Sequence, residues 1–440
     1  MKQKISLKEK IGYSLGDAGN NFIWVTVGSF LTLYYTDSVG ISAAVVGTIM
    51  LLTRLLDGIS DLVMGTIIDR TSTRWGKARP WILWTAPFMA LSMILLFNVP
   101  TSLGINGKIV YVSITYVFLA VFVYTACNLA YTSLLSLMTS DQQERTSISS
   151  FRYFITMIAI LIVSYTATPI IDKFGWGKMA LIFAIVGFIC LLISFATTKE
   201  RVGVENEVQN REKESVVESF KILFKNRYFV PMALLFVLTY ASGGAANGIG
   251  IYFAKDVMGN AGVFGTLILA SMMPSMIGVI FLPAIIAKIG KCKCIVIGLI
   301  LQAIGLIMVA VIPTNLTLVV IGLVIKGLGM LPLMAGLFPM VADIVDYGEW
   351  KTGKRIDGLT YSAVSFGMKV GTGLGSAMVG WGLAFGGYDG TATVQSASTI
   401  TAITALYSFI PLLIVALSLI LMIFISIDKV YPEVAEGLKK

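Results

Sequence analysis

The chain has 440 residues, of which 56% are hydrophobic and 13% are charged, about half the charged share of an ordinary soluble protein. Its mean hydropathy is +0.85. This composition excludes a typical water-soluble enzyme, a secreted disulfide scaffold and a disordered chain, and indicates an all-α membrane protein that crosses the bilayer many times. The absence of histidine excludes Ser-His-Asp catalysis, histidine-ligated metals and haem.

A bilayer-spanning helix needs about 20 mostly apolar residues. Twelve such stretches follow one another near 12–35, 43–68, 80–99, 109–135, 152–171, 179–198, 229–254, 264–286, 294–313, 317–342, 359–385 and 403–427. The first follows a basic start without a small-residue cleavage site, so it reads as a retained helix and not as a signal peptide. The N-terminus, the even-numbered loops and the C-terminus hold about 26 Lys and Arg. The opposite loops hold only Lys108, Lys173, Lys178 and Lys255. The positive-inside rule then places both termini in the cytoplasm, with the cell membrane as location. It also accounts for the net charge of +9 without nucleic acid as a partner. The four cysteines make no disulfide framework. Cys292 and Cys294 read as a Cys-x-Cys pair in a short basic loop, with no second pair to complete a zinc site.

The longest polar stretch, Lys199–Arg227, divides six spans from six. The expected organisation is an N-terminal half over 1–198, a cytoplasmic loop over 199–228 and a C-terminal half over 229–440. Two six-helix halves describe the major facilitator fold, in which substrate lies mid-membrane between halves that rock around it. Twelve helices of another transporter fold remain an alternative.

Charge inside a bilayer costs several kcal/mol unless it is paired or hydrated, so intramembrane ionisable residues are functional candidates. Asp57 and Asp61, at i,i+4, place two carboxylates on one face of the second span, where they can share a proton or hold one monovalent cation. Arg54 lies three residues before Asp57, and an Arg–Asp pair that merely satisfies buried charge is the structural alternative. On the first span, Asn20 and Asn21 offer the donors and acceptors that recognise sugar hydroxyls; Asp17 reads as structural or gating. Asn128 is either interhelical glue or a substrate or cation contact. Arg152 is suited to gripping hydroxyls or a carboxylate bidentately, or else snorkels to the interface. Lys369, deep in the eleventh span, needs a carboxylate partner or a bound ligand, and the two aspartates are the obvious candidates. The cluster Ser242-Gly243-Gly244-Ala245-Ala246-Asn247-Gly248 marks close packing or a hinge, with substrate contact as the alternative.

Several segments resemble those of the glycoside–pentoside–hexuronide:cation symporters. They are Gly12-Tyr13-Ser14-Leu15-Gly16-Asp17-Ala18-Gly19-Asn20-Asn21, Tyr34-Tyr35-Thr36-Asp37, Asp57-Gly58-Ile59-Ser60-Asp61, Arg74-Trp75-Gly76-Lys77-Ala78-Arg79-Pro80-Trp81 and Asp343-Ile344-Val345-Asp346-Tyr347-Gly348-Glu349-Trp350. The resemblance implies cation-coupled sugar uptake on a major facilitator fold, without enzymatic activity or prosthetic cofactor. It implies cation binding by Asp57, Asp61 and Asn128, and sugar binding by Asn21, Asn128, Arg152 and Lys369. Asn21 and Asn128 stand where melibiose-transporter members have aspartates, which favours H+ over Na+ and a glucuronide or pentoside over melibiose. Cytoplasmic gating is expected from Asp69, Arg74, Lys77, Arg79, Asp343, Asp346, Glu349 and Arg355. A non-sugar solute carrier or a proton-coupled antiporter is one other functional class, and a membrane enzyme or sensor is the second.

Overall fold

The computed structural model describes residues 5–202, 222–278, 281–354 and 356–438. Most of the central loop, 203–221, and Arg355 lie outside the described residues. The described chain is helical, without a β-strand. In chain order the long helices are α1 (Leu7–Leu33), α2 (Ala43–Arg70), α3 (Arg79–Leu96), α4 (Ile105–Met138), α5 (Gln142–Phe174) and α6 (Trp176–Thr197). After the central loop come α7 (Phe229–Tyr252), α8 (Phe264–Gly278, then Leu282–Ile289), α9 (Lys291–Val311), α10 (Leu316–Thr352), α11 (Asp357–Phe385) and α12 (Ala397–Thr404 continuing to Ile410–Phe424).

Ten helices of the described residues are long and apolar enough to cross a membrane. The two long ones that fall short are α1 and α11. Their polar faces are the reason: α1 carries Asp17, Asn20 and Asn21, and α11 carries Lys369 among glycines. A helix turned toward other helices or toward water inside a bundle tolerates such residues, whereas one facing lipid does not.

Several boundaries run past the apolar stretches. Helix α5 begins ten residues earlier than its apolar run, because Asp141 caps it by accepting from the Gln143 and Glu144 N–H groups at 2.8 and 3.3 Å. Cys292 and Cys294 do not lie in a loop; they form the first turn of α9. A last helix, α13 (Ile427–Gly437), was not anticipated. It is short and charged, with Ile427 and Val434 fully buried on one face.

Small residues set the packing. Gly12, Gly16 and Gly19 form one face of α1 against Thr197, Ser194 and the Gly187 carbonyl of α6, where a Cβ would come within 2.8 Å of each neighbour. That leaves the face bearing Asp17 and Asn21 free for α4 and α5. Gly371 and Gly375 of α11 rest on the Val237 and Ala241 carbonyls of α7. From the same helix, Gly373 meets Arg54 and Gly380 meets the Ala43 carbonyl of α2. Helix α11 is thereby clamped between α7 and α2, and Lys369 is carried to the acids of α2. Helix α1 also packs on α7, and α5 on α8, across the two sets of six.

Candidate substrate and cation site

Asp57 is 4% exposed and fully engaged. Its Oδ1 accepts the Thr125 hydroxyl of α4 at 2.6 Å and faces Lys369 Nζ at 3.1 Å. Its Oδ2 meets Arg54 Nη1 at 3.4 Å. The Lys369 ammonium also donates to the Asp57 carbonyl at 2.9 Å and pairs with Asp61 Oδ2 at 2.5 Å. One ammonium from α11 thus bridges both carboxylates of α2. Ser60, on the intervening turn, donates to the Asp57 carbonyl at 3.0 Å. Arg54 is held from its other side by stacking 4.0 Å over Trp24, itself stacked on Tyr124 at 4.0 Å. The donor set is oxygen-rich: two carboxylates and two hydroxyls, the chemistry of a proton or a hard monovalent cation.

A second centre lies between α1, α4 and α5. Asp17 is half-buried, and its Oδ2 accepts the Thr156 hydroxyl at 2.6 Å. Arg152 of α5 lies beside Asp17, Tyr13 and Tyr131. Tyr13 and Tyr131 stack at 4.5 Å. Asn21 donates its amide to the Asp17 carbonyl at 2.9 Å. Asn128 is half-buried, one turn beyond Thr125 on α4, and its side chain has no hydrogen-bond partner among the described residues. Asn20 is buried, accepts from the Cys127 thiol at 3.3 Å, and keeps its Nδ2 without a partner.

A third cluster, unforeseen, ties the first six helices to the last six at the end of the bundle away from the termini. Lys255 Nζ pairs with Asp37 Oδ2 at 2.5 Å. Tyr388 donates to Asp37 Oδ1 at 2.9 Å, and Thr36 bonds Tyr252 at 3.0 Å. Burial, more than the neighbouring Tyr252 and Asp37, raises the Tyr388 phenol well above its ordinary value, so it stays protonated as the donor. Asp37 and Lys255 occupy matching places. Both lie on a π-helical turn that ends a helix, in Tyr34-Tyr35-Thr36-Asp37 and Tyr252-Phe253-Ala254-Lys255. Each turn leads to a glycine in the left-handed region, Gly40 at φ 81° and Gly259 at φ 71°. The signal was this repeat, weak because only one residue of the four is shared.

The expected gating residues lie at the opposite end. Asp69 and Arg74 are exposed, and Arg74 covers Trp75. The Lys77, Ala78 and Arg79 N–H groups all donate to the Glu200 carboxylate at 2.8–2.9 Å, and Arg79 Nη2 donates to the Phe195 carbonyl at 2.7 Å. Asp343 pairs with Lys291, and Tyr431 donates to Asp346 at 2.9 Å. Glu349 is half-buried on the last turns of α10. Asp428 of α13 accepts the Cys292 N–H at 2.7 Å, capping α9. Each of these bonds stays within the first six helices or within the last six.

A family described as MFS/sugar transport protein matches residues 12–429. The chain belongs to the glycoside–pentoside–hexuronide:cation symporters. Among its relatives is the isoprimeverose transporter of Lactiplantibacillus pentosus, 33% identical over all of this chain and 92% of that protein. The inner membrane symporter YicJ of Escherichia coli is 32% identical over 96% of this chain and 92% of its own length. The glucuronide carrier protein homolog of Escherichia coli is 31% identical over 99% and 96%. In fold, the symporter resembles a peptide transporter, POT, solved with alafosfalin, at TM-score 0.69 and 14% identity, covering 99% of this chain and 97% of that one. It likewise resembles the nucleoside transporter NupG at TM-score 0.67 and 13% identity, covering 95% and 99%.

Proposed function

We propose that this symporter carries a glycoside, pentoside or hexuronide into the cell, driven by a proton in preference to sodium. The observation that carries the reading is the bridge from Lys369 to both Asp57 and Asp61. A coupling cation and the Lys369 ammonium compete for the same two carboxylates, so cation binding on α2 releases α11. That exchange links ion occupancy to movement between the halves 1–198 and 229–440, joined by the loop 199–228.

In this reading twelve helices cross the cell membrane with both termini cytoplasmic, as the basic loops favour. The Asp37–Lys255–Tyr388 cluster then faces outside and keeps the outer route shut. In the alternate state the cytoplasmic ends meet, and Asp69, Arg74, Lys77, Arg79, Asp343, Asp346, Glu349 and Arg355 supply the charges that hold them. Sugar binds between the halves at Asn21, Asn128, Arg152 and Lys369, with Asn128 near enough to Thr125 to serve the cation as well. One charge crossing 100 mV supplies about 2.3 kcal/mol, which at about 1.4 kcal/mol per tenfold supports ~50-fold accumulation of a neutral sugar.

The test is uptake of a labelled aryl β-xyloside and an aryl β-glucuronide into energised vesicles, with and without Na+ and a protonophore, for wild type and Asp57→Asn. Uptake abolished by protonophore and by the substitution supports proton symport. Sodium-stimulated uptake replaces the proton with sodium, and no uptake of either sugar under any gradient rejects the sugar reading.

A further inference from the structure

Asp17 has unused bonding capacity that Asp57 lacks. Its Oδ2 is fixed by the Thr156 hydroxyl at 2.6 Å, while its Oδ1 accepts no hydrogen bond from any described residue. The Arg152 guanidinium lies near enough to interact electrostatically with Asp17, yet the two form no contact ion pair. A carboxylate and a guanidinium drawn together without touching leave room for a group that satisfies both. Two neighbouring hydroxyls on a pyranose ring fit that description: one donates to the free carboxylate oxygen, and the next accepts from the five-donor fork of the arginine.

The surroundings support such a role. The Tyr13–Tyr131 stack beside Arg152 is fully buried and braces α1 against α4 behind the site. Asn21, one turn above, spends its amide N–H on the Asp17 carbonyl, so its own side-chain oxygen remains available on the same face of α1. The packing of Gly12, Gly16 and Gly19 on α6 fixes the rotation of α1 and so the direction of Asp17. None of this geometry is needed for gating, since Asp17 bonds no residue of the last six helices.

We infer that Asp17, with Arg152, binds two adjacent hydroxyls of the transported sugar and makes Asp17 the residue that reads one of them. The inference rests on the sugar-transport reading and adds to it a residue and a recognition mode. A site built to hydrogen-bond a hydroxyl discriminates against an analogue lacking it, because its own polar group is then left unpaired.

The experiment is competition by the 2-, 3- and 4-deoxy analogues of an aryl β-xyloside against labelled parent uptake, using the full-length protein in vesicles. In wild type one analogue is expected to compete about tenfold to a hundredfold more weakly than the parent. In Asp17→Ala that ratio is expected to collapse to within about threefold, with the ratios at the other two positions unchanged; a merely structural aspartate would weaken all analogues together. Where the alanine variant does not accumulate in the membrane, Asp17→Asn is read the same way. Its uncharged amide is expected to lower the same single ratio at least about threefold. A variant that transports with all three ratios as in wild type, or with all three shifted equally, overturns the assignment of Asp17. Wild type that takes up no aryl glycoside under any gradient overturns the sugar reading itself.

Discussion

The charged bonds of this symporter divide into two kinds. Some cross between the first six helices and the last six: Lys369 to Asp57 and Asp61, and Lys255 to Asp37. Others stay inside one set: Glu200 on the N–H groups of Lys77, Ala78 and Arg79, and Asp428 on the N–H of Cys292. The second kind occurs twice in the same form. In each set, a carboxylate just beyond the sixth helix caps the first turn of the third. A helix N-terminus offers unpaired N–H groups and a partial positive charge, so a carboxylate there is stabilising. Bonds of this kind hold within one set, whereas bonds that cross between sets must break in any cycle that moves one set against the other.

Breaking a crossing bond should therefore damage transport, and breaking a cap should damage stability. The largest effect is expected for Lys369→Ala. Removing one partner of a buried pair costs about 3–5 kcal/mol, so initial sugar uptake should fall by at least about a hundredfold while the protein still accumulates in the membrane. Lys369→Ala protein that transports normally would end the role assigned to the bridge. Next is Asp37→Asn. Loss of one charge-assisted bond, about 1–3 kcal/mol, should favour the outward-open form and speed maleimide labelling of a cysteine placed at Ala43, which is 5% exposed beside α11. An unchanged labelling rate would remove Asp37 from the closure of the outer end.

The caps should behave in the opposite way. Glu200→Gln keeps shape but loses charge against three N–H donors and should lower thermal stability in detergent by about 1–2 kcal/mol. Asp428→Ala, with a single such bond, should cost about 1 kcal/mol or less. For both, the sugar KM of the surviving protein should match wild type. A KM shift in either would show that a cap takes part in the transport cycle.

Much of this division is legible in the amino-acid sequence because a charge in an apolar run has few explanations. Asp57, Asp61 and Lys369 stand out for that reason, and they do meet. Thr125, which completes the cluster, does not stand out, since a lone threonine is ordinary in any membrane helix. Asp17 reads as structural or gating because it is near a helix end; its neighbours Thr156 and Arg152 come from another helix, and no local pattern links them. Asp37 and Lys255 escape notice because charges at helix ends are expected at a membrane surface. Helix α13 escapes because its eleven residues mix charge and apolar side chains below any span criterion. Glu200 and Asp428 look like ordinary loop acids until the folded chain returns them to helix ends more than a hundred residues away.

The matching places of Asp37 and Lys255 bear on how such a chain came to be one chain. In an assembly of two identical copies, a residue near the symmetry axis faces its own twin. Two copies of the first half would set aspartate against aspartate there, and two copies of the second would set lysine against lysine. Like charges in contact repel, so neither identical pair closes at this point, whereas the mixed pair does. The contact therefore works only for unlike halves, and covalent fusion guarantees that every molecule contains one of each.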